Sequence, residues 1–90
     1  MNKIYKNIIR TSSLDLASYL AAKKITFLGI EAIPSEKNFY EFLFSVGPIE
    51  YEKLRFEFNK GAEISAIALL SERKKLIKKL EEERKNYGIN

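Results

Sequence analysis

Residues 25–46 run Ile25-Thr26-Phe27-Leu28-Gly29-Ile30-Glu31-Ala32-Ile33-Pro34-Ser35-Glu36-Lys37-Asn38-Phe39-Tyr40-Glu41-Phe42-Leu43-Phe44-Ser45-Val46. Ile25 to Ile33 is rich in β-branched and aromatic residues. Phe39 to Val46 alternates, with Tyr40, Phe42, Phe44 and Val46 on one face and Phe39, Glu41, Leu43 and Ser45 on the other. Two such runs around the polar connection Pro34–Asn38 predict a β-hairpin. Gly29 inside the first run marks a bulge or a close approach of another backbone.

Upstream, Lys3 to Arg10 alternates, with Ile4 and Ile8 on one side and Tyr5 and Ile9 on the other. Lys6 and Arg10 among the isoleucines make it an edge strand. Thr11-Ser12-Ser13 ends it, and Ser12 with Asp15 has the spacing of a capping box. A helix is expected from there to about Lys24, with Leu16, Ala17 and Leu20 on its apolar face. Downstream of the hairpin, Pro48 to Lys60 carries two patterns. Tyr51, Leu54 and Phe58 have helical spacing, whereas Leu54, Phe56 and Phe58 alternate like a strand. Pro48 at the first helical position, Glu50 and Glu52 in the first turn, and Gly61 as a stop favour the helix.

From Ala62 to about Tyr87 there is no Gly or Pro. At about 1.5 Å per residue this last helix is expected to be roughly 35 Å long, and from about residue 78 onward to protrude or fray. The expected fold is therefore a single α+β domain over residues 1–90. A small antiparallel sheet, the hairpin plus the N-terminal edge strand, is packed by three helices in the order β-α-β-β-α-α.

The run Thr11-Ser12-Ser13-Leu14-Asp15-Leu16-Ala17-Ser18-Tyr19-Leu20, followed by Phe27-Leu28-Gly29-Ile30-Glu31 and Phe42-Leu43-Phe44, resembles a family of small uncharacterised domains from bacteria and their phages. The resemblance covers about Thr11 to Leu80. It implies a strand–helix–hairpin–helix–helix architecture and supports the helical reading of Pro48 to Lys60, but it implies no activity. Two positions depart from the family's pattern: Ser13 stands where an Asp is usual, and Lys24 where a Gly commonly ends the first helix. Both concern capping.

Composition narrows the function classes. The chain of 90 residues has no Cys and no His, so the commonest general base, the best nucleophile and the usual zinc ligands are all missing. Its four glycines, at 29, 47, 61 and 88, are isolated, so no phosphate-cradling loop exists. The chain is expected not to be an enzyme and to bind no metal or cofactor. No apolar run is long enough to span a membrane, and Met1–Lys6 lacks the apolar stretch of a secretory signal, which makes the cytosol the expected compartment. Net charge is +4, too mild to point strongly to nucleic acid.

Three features of the last helix bear on partners. Ile64, Ala66, Ile67, Ala68, Leu69 and Leu70 are apolar all round, which a surface helix would not show. That start is either wrapped by the rest of the domain or used as a subunit interface, with Ile64, Ile67 and Leu70 as candidate interface residues in a homodimer. Phe56 joins them, since a helical Pro48–Lys60 points it and Ile49 away from the Tyr51–Leu54–Phe58 face. Lys74, Lys75, Lys78 and Lys79 share the side away from Leu76 and Leu80 and could track phosphates. The plainer reading is a solvated face, with Lys78 paired to Glu82 and Lys79 to Glu83. Arg73 falls within the apolar stripe, so it must snorkel to water or meet an acid. Glu41, the acid interrupting the aromatic strand, is the candidate partner, and the plainer reading is that the helix has already left the globule at Arg73.

Overall fold

The computed structural model describes residues 7–34, 39–61 and 63–86. It is an α+β fold in the expected order: β1 (Ile8–Thr11), α1 (Leu14–Ala22), β2 (Thr26–Ala32), β3 (Tyr40–Ser45), α2 (Pro48–Asn59) and α3 (Ala66–Asn86). The sheet order is β1-β3-β2, antiparallel throughout, so the aromatic-rich strand lies in the centre and β1 at an edge. Lys3 to Lys6, Ser35 to Asn38, Ala62 and Tyr87, over which the expected strand, loop and last helix extended, lie outside the described residues.

Alternation along β3 sorts the two faces. Tyr40, Phe42, Phe44 and Val46 are all buried, and Ile9 and Phe27 flank Phe44 in register. This face packs on Leu16, Ala17 and Leu20 of α1, Leu54 of α2 and Leu76 of α3. Phe27 meets Phe44 edge-on, with centroids 5.4 Å apart. The bulge expected near Gly29 is there: the register slips between Phe27 and Gly29, and Gly29 takes φ +148°. On the opposite face Arg10 of β1 reaches Glu31 of β2 at 2.5 Å, crossing the central strand. Leu43 lies between them on that face, opposite Arg10 and the side-chainless Gly29, and is 7% exposed.

The cap of α1 falls one residue later than the capping-box spacing suggested. Ser13, not Ser12, is the N-cap, and its Oγ accepts from the Leu16 N–H at 3.1 Å. Thr11 still pairs with Phe42 in the sheet, so Ser12 is used to leave the strand. The C-terminus is a Schellman closure: the Ile25 N–H donates to the Leu20 carbonyl and the Lys24 N–H to that of Ala21. Lys24 therefore holds φ +68°, a left-handed conformation that a side chain disfavours. Ser13 and Lys24 thus both stand at ends of α1 where capping decides the residue type. Lys24→Gly is expected to raise stability by about 0.5–1 kcal/mol, seen as a higher urea midpoint at unchanged slope. A lower midpoint would contradict the strain argument.

Residues 48–59 are helical. Pro48 stands at the first position after the Gly47 N-cap, and Gly61 at φ +74° follows the Lys60 C-cap. The last helix begins at Ala66 instead of Ala62. Ser65 caps it, its Oγ accepting from the Ala68 N–H, while Ile64 precedes the helix and packs against the core. At about 1.5 Å per residue α3 is roughly 32 Å long, against a longest molecular extent of 39 Å. Leu69, Leu76 and Leu80 dock it, and Arg84 lies over the Tyr40 ring at 5.8 Å.

Candidate interaction surface

The first turns of α3 sit where α1 and the end of α2 come together. Small residues on α1 permit this: Ala17 and Ser18 are 0% and 1% exposed, and the Ser18 hydroxyl donates to the Leu14 carbonyl at 2.7 Å. Between the elements runs a groove of about 420 Å³ lined by Asp15, Ser18, Phe58, Leu69, Leu70 and Arg73. Its floor is apolar and one end is closed by the ion pair of Arg73 with Asp15. Around the helix from Leu70 lies a shallower hollow formed with Ile67, Ser71 and Lys74. Leu70 is the shared wall and is 58% exposed, and Ile67 beside it is 82% exposed.

The candidate interface residues are thereby separated. Ile67 and Leu70 are adjacent and open, whereas Ile64 is partly buried against the core. Phe56 is open, 61% exposed, but it lies on the outward side of α2 with Ile49, under the Lys60 ammonium at 4.7 Å. The start of α3 is thus covered on one side only. Phe58, Ser18 and Asp15, which complete the groove, were not among the candidate interface residues. Each reads locally as an ordinary helix residue, and only the packing of three helices brings them together.

The four lysines do not act alike. Lys75 pairs with Glu72 at 3.4 Å, and Lys79 turns to the Phe27 ring at 5.8 Å. The expected pairs Lys78–Glu82 and Lys79–Glu83 do not form, since Lys79 is held against the edge of the sheet and Glu83 is half-buried. Lys74 and Lys78 remain exposed.

Arg73 does not meet Glu41. Glu41 opposes Glu31 on the face of the sheet that turns away from the helices, so α3 cannot reach it. Asp15, in the first turn of α1, is the partner instead, in a pair whose side chains are 41% and 74% exposed. A solvated pair contributes little, because water screens it and both side chains lose freedom. Arg73→Ala is expected to cost under about 1 kcal/mol and Glu41→Gln nearly nothing. A urea double-mutant cycle should couple Arg73 to Asp15 by about 0.3–0.5 kcal/mol and to Glu41 by nothing measurable. Coupling to Glu41 larger than to Asp15 would refute this placement.

A second polar cluster joins α1 to α2. The buried Tyr19 hydroxyl donates to Glu57 Oε1 at 3.4 Å, Lys23 Nζ stands 4.0 Å from the same oxygen, and Phe58 packs on the Tyr19 ring at 5.3 Å. Burial, then the charge of Glu57 and its hydrogen bond, hold the Tyr19 phenol above the ordinary tyrosine range. The protonated hydroxyl thus links α1 to Glu57 of α2. Among the described residues no three acids gather to hold a metal ion, and no helix is long and apolar enough to cross a membrane. Comparison with protein-family models, with characterised proteins and with solved structures finds no match.

Proposed function

We propose that the protein is a small non-catalytic interaction module that self-associates through the first turns of α3. The observation that carries this is the placement of Ile67, 82% exposed, and Leu70, 58% exposed, beside an apolar groove. Large aliphatic side chains set next to such a groove favour a protein partner over continued exposure to water. A chain of 90 residues buries a limited core, and association is a common supplement to it. Lack of His and Cys supports a role without catalysis. The resemblance of Thr11 to Leu80 to small bacterial and phage domains supports placing it in such a system.

Light scattering at micromolar concentration should give a mass near twice 10.4 kDa. Ile67→Asp should return it to 10.4 kDa with an unchanged helical spectrum, because Ile67 is no part of the core, and with a lower melting temperature, because association no longer adds to stability. A monomeric wild-type mass at high concentration would rule the proposal out. The alternative is a nucleic-acid module using the lysine face of α3. Lys74 and Lys78 support it, but Lys75 and Lys79 are engaged elsewhere and Glu81 and Glu82 follow on the same solvent side. Salt-dependent binding to a generic duplex, abolished by Lys74→Glu with Lys78→Glu, would favour it.

A further inference from the structure

Resting on that reading of self-association, we infer that two copies pair about a two-fold axis beside Leu70, with Ile67 of each copy seated in the groove of the other. Ile67 projects on one side of Leu70, and the groove formed with Phe58, Leu69 and Arg73 opens on the other. At about 100° per residue Ile67 and Lys74 stand in one row of the helix, Leu69 and Arg73 flank the opposite side, and Leu70 lies between. A surface that carries a projection and a hollow on the two sides of one residue closes reciprocally on its own copy. In a two-fold interface residue i meets residue j and j meets i. The groove, at about 420 Å³, accepts an isoleucine side chain. Ile77, one heptad beyond Leu70 and 37% exposed, then meets its counterpart near the same axis, with the two α3 helices side by side in one direction.

The rims match in charge. Lys74, two turns past Ile67 on the projecting side, has no acid within ion-pair distance among the described residues. Asp15, on the far rim of the groove, keeps 74% of its side chain exposed although it pairs with Arg73. Seating Ile67 brings Lys74 of each copy opposite Asp15 of the other, twice per dimer. The occupant is thus a second copy of this chain, and the interface weakens as salt rises.

Because the chain has no cysteine, one introduced thiol reports on one position only. Leu70→Cys oxidised under native conditions should become a covalent dimer, since the two sulfurs meet at the axis. Ile49→Cys, more open still on α2, should form no covalent dimer after the same treatment. Lys74→Glu should weaken dimerisation by about tenfold at low salt, and adding Asp15→Lys should restore it. If the wild type is a dimer by mass yet Leu70→Cys does not cross-link, or Lys74→Glu leaves the affinity unchanged, this geometry is overturned and self-association stands. If the wild type is a monomer, both fall.

Discussion

Phe44→Ala is expected to remove about 3–5 kcal/mol of unfolding free energy, the range for a large side chain deleted from a core that cannot collapse around the gap. Phe44 has no exposed surface, lies between Ile9 and Phe27 in register on the central strand, and belongs to the cluster that all three helices share. A chain of 90 residues is stable by only about 5–13 kcal/mol, so the variant should approach its unfolding midpoint at physiological temperature. Phe39→Ala, one step outside the same strand and 55% exposed, should cost under about 0.5 kcal/mol. Urea unfolding of both variants measures the contrast. Equal losses would mean that the alternation along β3 does not separate core from solvent.

Leu76→Ala should cost about 2–4 kcal/mol, while Ile77→Ala next to it should cost under about 1 kcal/mol. Leu76 is 3% exposed and Ile77 37%. The whole of α3 is docked by a narrow stripe, Leu69, Leu76 and Leu80, and its remaining surface carries the charges together with the uncovered Ile67, Leu70 and Ile77. Removing the middle of that stripe should also speed amide hydrogen exchange along α3 before it does so in the sheet. If Leu76→Ala were as mild as Ile77→Ala, α3 would be held by its surface ion pairs, which the screening of exposed charges argues against.

Sequence alone determined the elements and their order. Period-two alternation from Phe39 to Val46 put Tyr40, Phe42, Phe44 and Val46 together on one face, because a strand's side chains can only alternate. Pro48 and Gly61 bounded α2, because one has no N–H to lose and the other accepts the left-handed turn. Those signals are local, and each works through a residue's own backbone or its near neighbours. Capping was legible only to within a residue or a turn: Ser13 and Ser65 took the cap positions once Thr11 was committed to the sheet and Ile64 to the core.

Only the tertiary structure decided what meets what. Arg73 finds Asp15, 58 positions away, and not Glu41, because Glu41 lies on the face of the sheet opposite the helices. Ile64, the first residue of an apolar run that reads as uniform, packs against the core, and Ile67 and Leu70 are left outside it. The groove beside them exists because Ala17 and Ser18 are small enough to let α3 close on α1 while Phe58 arrives from α2. Periodicity assigns a residue to a side of its own element, but which neighbour covers that side depends on how the helices cross. That crossing is set by side chains far apart in the chain, and no local pattern records it.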